Sequence, residues 1–111
     1  MGLHLFFLLT DPDFENRLVV TAAVVTTRSH TDKTCTLNVG DHPFIRHQSN
    51  IDYGSANFVP LSRLQEWLTS GQATLQPNLP PDLLVVIQQG LLKSSRTIHA
   101  IADHCRPLFV T

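Results

Sequence analysis

The pattern of apolar residues changes character near Pro60, and this change constrains the fold more than any other feature of the chain. Before that point the apolar stretches are short, rich in Val, Thr and Phe, and separated by turn-forming residues, which is typical of β-strands. After it, apolar residues recur at spacings of three and four, which is typical of amphipathic helices. Strands that precede helices, instead of alternating with them, predict an α+β domain that is mainly β.

Four strands are predicted in the first half of the chain, over residues 3–9, 17–27, 34–39 and 51–60. The second strand is expected to bend near Ala22-Ala23. Gly54 is a candidate bulge in the fourth strand, because a glycine inside a strand often marks one. Tyr53 and Phe58 lie an odd number of residues apart, so they are predicted to point to opposite faces of the sheet.

Two or three helices are predicted over residues 61–105. The second of them is expected to open at Pro80-Pro81-Asp82, because proline and an acidic residue both suit the first turn of a helix. A short third helix ends near Cys105. Ser94 or Ser95 is its candidate N-cap, because a serine hydroxyl can accept a hydrogen bond from a free amide of the first turn.

The length and composition predict one domain spanning residues 1–111. The net charge is −1, which excludes a global basic signature, so any nucleic-acid site must be a local patch. Only 15% of the residues are charged, which leaves little charge to cover the surface of a monomer, and a homodimer is therefore expected.

Cysteine usage and the N-terminal residues predict where the protein resides. Cys35 and Cys105 form no CxxC pair, and the start of the chain carries no secretory signal. The apolar run 3–9 is too short to cross a bilayer. A cytoplasmic protein with two reduced thiols and no membrane association is the expectation.

The segment 40–49 concentrates chemically active side chains at the end of a predicted strand, where binding and catalytic residues often lie. His42 is a candidate general acid or base, because imidazole titrates near neutral pH. Arg46 and His47 are candidates for contacts with phosphate oxygens. The alternative is a structural loop in which Asp41 and Ser49 hydrogen-bond to backbone amides and the histidines are solvated.

A second polar stretch, Thr26-Thr27-Arg28-Ser29-His30, follows the second predicted strand. In a sheet built of hairpins this stretch would lie near segment 40–49, and together they would form one anion-binding patch. Such a patch suits RNA, because arginines hold phosphate while a base activates the ribose 2′-hydroxyl. The alternative is a β-branched strand that leads into a polar turn. The predicted site consists of catalytic His42, Arg46, His47 and Thr27, and of substrate-binding Arg28, His30 and Ser49.

The C-terminal run His99-Ala-Ile-Ala-Asp103-His104-Cys105 has the composition of a metal motif but not its spacing. His99 and Asp103 share a helix face, yet no HExxH pattern occurs, and a metal site needs three or four converging ligands. No metal and no cofactor are therefore predicted. A metal-dependent hydrolase that adds a histidine of segment 40–49 to these residues is a further alternative.

Three stretches carry a family resemblance: LHLFFLLTDPDFENR at 3–17, LVVTAAVVTT at 18–27 and TCTLNVGDHPFIRHQSNIDYGSANFV at 34–59. In these the chain resembles the bacterial PemK/MazF-like toxin-type proteins. The resemblance implies a small SH3-like antiparallel barrel over residues 3–60, followed by the helical part.

The same resemblance implies a function. It is that of a dimeric endoribonuclease of a toxin–antitoxin system, which cleaves single-stranded RNA by metal-independent acid–base chemistry and binds an antitoxin-like protein. Thr26 or Thr27 would match the hydroxyl position of the family, and Arg46 and Asp52 its arginine and acid. The family's Arg-Pro at the start of the second strand is replaced here by Arg17-Leu18. The alternative is a non-catalytic PemK-like binding module for a partner protein or nucleic acid.

Overall fold

Strands come first and helices second, as the residue pattern predicts. A computed structural model describes residues 5–26 and 32–109 and shows an α+β domain with one antiparallel sheet. The elements in chain order are β1 (Phe6–Leu8), β2 (Leu18–Thr26), β3 (Thr36–Leu37), β4 (Ser49–Pro60), α1 (Leu61–Ser70), α2 (Pro81–Lys93) and α3 (His99–Cys105).

The strand order in the sheet is β1-β2-β4-β3, and every neighbouring pair is antiparallel. The long strands β2 and β4 form the centre, and the short strands β1 and β3 lie at the two edges. Within the described ranges the pairing thus forms one open series of four strands. The outer edge of β1 pairs with no further strand in this series, and its Phe6 and Leu8 side chains are about half exposed.

The pairing of β2 with β4 changes register at the bend predicted for Ala22-Ala23. Thr21 lies opposite Asn57, whereas Ala23 lies opposite Asp52, so β2 advances two residues while β4 advances five. A strand with extra residues bends and twists more strongly than its partner. The irregularity thus lies opposite Ala22-Ala23, but the strand with the extra residues is β4, whereas the sequence places the bend in β2.

The extra residues of β4 include Gly54, as predicted, and they reverse the alternation of side chains along the strand. Phe58 lies opposite Val20, which faces the core, and Tyr53 is also buried in the core. The prediction that Tyr53 and Phe58 point to opposite faces is wrong, because an odd number of inserted residues brings both onto one face.

The hydrophobic core lies between one face of the sheet and the helices α2 and α3. Alternate residues of the strands supply one side of it, and the apolar faces of the two helices supply the other. Its fully or nearly fully buried members include Leu9, Val20, Ala22, Leu37, Ile51, Tyr53, Ile87, Leu91, Ile101 and Cys105.

Helix α1 follows β4 directly and has no buried residue of its own. The amide of Leu61 donates to the carbonyl of Arg17 at 2.8 Å, which fixes the start of the helix beside the start of β2. Gly71 ends the helix with φ +82°, a left-handed conformation that glycine adopts without steric cost. Helix α1 is therefore an outer layer of the domain.

Helix α2 holds two distant parts of the chain through two consecutive glutamines. The Gln88 side-chain amide donates to the carbonyl of Leu9 at 2.9 Å, and that of Gln89 donates to the carbonyl of Phe109 at 2.5 Å. Both carbonyls lie near an end of the described chain. The two hydrogen bonds thus bring both ends of the domain onto one helix.

Ser94 ends α2 and does not cap α3, so the capping prediction is wrong. The amide of Ser94 donates to the carbonyl of Gly90, and its buried hydroxyl donates to the carboxylate of Asp32. The N-cap position of α3 is Ile98, which has no side-chain hydrogen bond. The Ser94 hydroxyl bonds to Asp32 and not to the start of α3, because a buried carboxylate requires hydrogen-bond donors.

The Asp32 carboxylate also accepts hydrogen bonds from Thr34, through its hydroxyl at 2.5 Å and its amide at 3.0 Å. Burial alone would raise the pKa of Asp32. The hydrogen bonds from Ser94 and Thr34, together with the positive charge of Arg96, outweigh burial and hold the pKa below its ordinary value. The ionised carboxylate thereby joins the segment before β3 to the end of α2.

In the described part of the chain, no helix has the length and apolar character needed to cross a bilayer.

Candidate functional site

The loop between β3 and β4 contains three of the seven sequence-predicted site residues, and several of its hydrogen bonds lie within the loop. The amide of Asp41 donates to the carbonyl of Asn38 at 3.0 Å, and the Asp41 carboxylate accepts from the amide of Asn38 at 2.7 Å. The Gln48 side-chain amide donates to the Asn38 side chain at 3.1 Å. The contact of Asp41 agrees with the alternative of a structural loop, but that alternative is wrong for His42, which is buried, and for Ser49, which bonds to a carbonyl.

His42 is 2% exposed, and both of its ring nitrogens bond within the protein. The amide of Phe44 donates to Nδ1 at 3.1 Å, so the ring proton is on Nε2, which donates to the carbonyl of Pro77 at 2.7 Å. The ring also meets Phe7 edge to face, with centroids 5.7 Å apart. His42 therefore holds the loop against the segment before α2 and presents neither nitrogen to a substrate.

Arg46 and His47 are exposed at the end of the same loop, whereas Ser49 is buried. The Ser49 hydroxyl donates to the carbonyl of His47 at 2.8 Å, so this hydroxyl shapes the chain and is not turned toward solvent. Thr26 lies opposite Ser49 in the sheet. The predicted meeting of the two polar stretches at one end of the sheet is thus seen for the last described residue of β2.

Three members of the predicted site, Thr27, Arg28 and His30, lie outside the described residues. The other four predicted site residues fall into two pairs. Arg46 and His47 are together on the surface, while His42 and Ser49 are buried and bonded internally.

The C-terminal histidines and cysteine do not converge. Across residues 5–26 and 32–109, no group of three or more His, Cys, Asp or Glu is placed to hold a metal ion. Asp103 pairs with Arg106 at 2.8 Å on the surface. Cys105 is completely buried, and burial raises the pKa of its thiol to about 11.

The structure contains a cavity that was not predicted from the sequence. We call this cavity the edge cleft. It has a volume of about 720 Å³ and lies where the end of β1 meets the three helices. Its walls are mostly apolar. The residues that form them include Leu8, Leu9 and Phe14 from β1 and the turn after it, Leu61 and Leu64 from α1, Leu84 and Gln88 from α2, and His104 and Leu108 from the C-terminal part.

Two polar side chains of the edge cleft, Thr10 and Gln88, bond to the backbone. The Thr10 hydroxyl accepts the amide of Val20 at 3.0 Å, and Gln88 bonds to the carbonyl of Leu9. The His104 ring meets Phe58 edge to face, with centroids 5.1 Å apart and an interplanar angle of 89°. Its Nε2 is buried and has no hydrogen-bond partner among the described residues. The cleft is therefore better suited to contact with an apolar ligand than to catalysis.

The turn after β1 is fixed by Asp13. One carboxylate oxygen accepts the amide of Asn16 at 2.8 Å, and the other accepts the amide of Leu18 at 2.6 Å. These two hydrogen bonds lower the pKa of Asp13. Arg17, whose amide donates to the carbonyl of Asp13, has φ +56°, which is rare for a residue with a side chain.

This fixed turn places Phe14 at the rim of the edge cleft with 98% of its surface exposed. Leu108, on the other side of the cleft, is 56% exposed. Phe14, Leu108 and the apolar walls of the cleft together form an exposed apolar patch, and contiguous patches of this kind mark contact surfaces. The sequence signal that could have found it is the phenylalanine in the otherwise polar turn DPDFENR.

Comparisons of the chain with family models, with curated proteins and with solved structures find no match. The function is therefore inferred from the geometry of the chain alone.

Proposed function

We propose that this protein is a non-catalytic binding module and that its edge cleft holds an apolar segment of a partner protein. The observation that carries the proposal is Phe14, which is almost fully exposed beside an apolar cleft of about 720 Å³. Burying a phenylalanine is worth about 1.5–3 kcal/mol, and contact with a partner would recover that free energy.

The rigidity of the turn supports the same function. Asp13 accepts two backbone amides, so the backbone that carries Phe14 is ordered before a partner arrives. A backbone that is already ordered loses little conformational entropy on binding, which favours affinity. The apolar surface continues from the cleft onto Leu8 and Phe6 of the edge strand β1.

The proposal is tested by selecting peptides from a displayed random library on the purified protein. A selected peptide is then titrated into ¹⁵N-labelled protein. We expect backbone amide shifts at the edge cleft, near Phe14 and Leu64, and at least about tenfold weaker binding to the Phe14→Ser variant. Shifts confined to other surfaces would contradict the proposal.

Val39 supplies a matched control, because it is 67% exposed and does not line the cleft. The Val39→Ser variant removes a similar exposed apolar side chain and is expected to bind the selected peptide like the unchanged protein. An equal loss in both variants would mean that exposed apolar residues bind the peptide without specificity.

A second candidate function is the metal-independent endoribonuclease that the PemK/MazF-like resemblance implies. The observation that favours it is the pairing of Thr26 with Ser49. Through this pairing β2, whose next residues are Thr27 and Arg28, ends beside the exposed loop that contains Arg46 and His47. In this proposal RNA is the substrate, an antitoxin-like protein is the partner, and two copies form a dimer.

Cleavage of single-stranded RNA by the purified protein tests this second candidate. Arg46→Ala is expected to abolish cleavage, whereas Arg63→Ala, which removes an exposed arginine of α1, is expected to leave it unchanged. RNA that stays intact with the unchanged protein would end the ribonuclease hypothesis and would leave the binding module in place.

The SH3-like barrel is part of the second candidate. The register shift between β2 and β4 bends the sheet in the way that barrel closure requires. Backbone NOEs between β1 and β3 would demonstrate closure, and their absence would favour an open sheet. A cytoplasmic location is proposed with either function, because Cys35 and Cys105 are both free thiols.

A further inference from the structure

The rim of the edge cleft carries negative charge. The turn between β1 and β2 contains Asp11, Asp13 and Glu15, and the first two line the cleft. Neither lysine nor arginine is among the lining residues that the structure describes. The charge and the apolar surface thus occur at the same place, which is not expected for a face that only stays in solvent.

Among the described lining residues, His104 is the one basic side chain, and its charge contributes, after two backbone amides, to the lowered pKa of Asp13. Arg17 follows the turn but is not a lining residue, and Arg106 is paired with Asp103. Asp11 and Glu15 are exposed, and the two amides that bond to Asp13 keep its carboxylate ionised. The carboxylates therefore give the mouth of the cleft a negative potential at neutral pH.

We propose that the partner segment in the edge cleft is a basic amphipathic peptide segment, with lysine or arginine beside its large apolar side chains. This inference rests on the proposed binding function and adds the charge of the partner. The apolar side chains of such a segment enter the cleft next to Leu64 and Phe14. Its cationic groups lie against the carboxylate of Asp11, which lines the cleft, and opposite charges there steer and orient the encounter.

The same charge distribution disfavours two other classes of ligand. Nucleic acid and anionic lipid surfaces both present phosphate groups, which the acidic rim repels. A protein segment with acidic side chains is repelled for the same reason. Charge complementarity therefore selects the basic peptide among the ligands that have an apolar face.

Two synthetic peptides of equal length test the inference. They share the same pattern of leucines and differ only in that one carries lysine and the other glutamate at the polar positions. Each is titrated into the ¹⁵N-labelled protein at low salt. We expect the lysine peptide to shift the amides of Asp11, Phe14 and Leu64, and the glutamate peptide to bind at least about tenfold more weakly.

Two variants of the protein distinguish the effect of a carboxylate at the cleft from the effect of the overall charge of the protein. Asp11→Asn, which removes an exposed acid that lines the cleft, is expected to weaken binding of the lysine peptide several-fold and to reduce its dependence on salt. Glu66→Gln is the control, because Glu66 is an exposed acid of α1 that does not line the cleft. An equal loss in the control variant would overturn the inference.

The outcomes also distinguish this inference from the function on which it rests. If the lysine and glutamate peptides bind the cleft equally well, the inference about charge is wrong and the binding module stands. If the lysine peptide causes no shift at the cleft, the inference is overturned. If the peptide selected from the library also causes none there, the proposed function fails with it.

Discussion

Tyr53 of β4 fills the space that a side chain at Gly90 of α2 would need. A β-carbon on Gly90 would overlap the Tyr53 hydroxyl oxygen and lie 2.9 Å from its ring carbon Cζ. The hydroxyl donates to the carbonyl of Ile87 at 2.7 Å, inside the core. The helix is thus held close to the sheet by a buried tyrosine that reaches its backbone, and only glycine permits that approach.

Gly90→Ala is expected to lower the free energy of unfolding by about 2–4 kcal/mol. Overpacking and a strained buried hydrogen bond both destabilise, and the gain in helix propensity of about 1 kcal/mol does not offset them. Urea denaturation measures the change. A variant as stable as the unchanged protein would show that α2 can shift away from Tyr53 at little cost.

The origin of that loss is tested by combining Gly90→Ala with Tyr53→Phe. Removing the hydroxyl gives the new methyl group room, so the double variant is expected to lose less stability than the two single variants together. A positive coupling of about 1 kcal/mol or more would be the signature of direct contact. Additive losses would mean that the methyl group clashes with something else.

His42→Ala is expected to lower the free energy of unfolding by about 2–4 kcal/mol, because it leaves the Phe44 amide and the Pro77 carbonyl without their partner and removes a ring from the core. Thermal or urea denaturation measures the effect. His47→Ala is the matched control from the same loop, and its exposed ring predicts a change within about 0.5 kcal/mol. Similar losses in both would contradict the structural role of His42.

Ser94→Ala is expected to destabilise the protein by about 1.5–3 kcal/mol near neutral pH, because the serine hydroxyl bonds to an ionised carboxylate. Ser95→Ala is the control, since Ser95 is the exposed neighbour. The loss should depend on pH. The folded-state pKa of Asp32 is below its ordinary value of 3.8, so the unfolded chain takes up the proton first as the pH falls.

The stabilisation from Asp32 is therefore complete above its ordinary pKa and disappears as the pH falls through the lower folded-state pKa. Urea denaturation at about pH 7 and about pH 3 is expected to show a smaller difference between Ser94→Ala and the unchanged protein at the acidic value. A difference that stays constant would mean that the serine acts through packing and not through the carboxylate.

Both cysteines are expected to resist thiol reagents in the folded protein. Burial raises the pKa of Cys35 and raises that of Cys105 to about 11, so little thiolate is present and reagents cannot reach it. Labelling with a disulfide reagent at about pH 8 should follow the unfolding rate and accelerate in urea. A Val39→Cys variant supplies an exposed thiol that should react at once. Immediate reaction of the native thiols would contradict their burial.

The element pattern could be predicted from the sequence because apolar spacing reports local geometry. The strands around Val20 and Ile51 and the helix that opens at Pro81 lie where the periodicity places them. The face of Phe58 could not be predicted. It depends on the register shift against β2, and pairing between distant strands leaves no mark in the local pattern.

The candidate site was harder to predict for a related reason. The composition of segment 40–49 suggested chemistry, but the state of His42 depends on Pro77, which is distant in the chain. Likewise, the role of Ser94 depends on Asp32. Polar residues in a turn serve structure or function according to which partner the fold supplies, and that partner is set by tertiary packing.

The two glutamines of α2 that bond to Leu9 and Phe109 have a consequence for synthesis on the ribosome. The segment of β1 cannot acquire its cover by α2 until Gln88, 79 residues after Leu9, has been translated. Contacts between residues so far apart in sequence are slow to form. This segment, with its two consecutive phenylalanines, therefore lacks the cover of α2 while the residues in between are synthesised, and chaperones have access to it during that time.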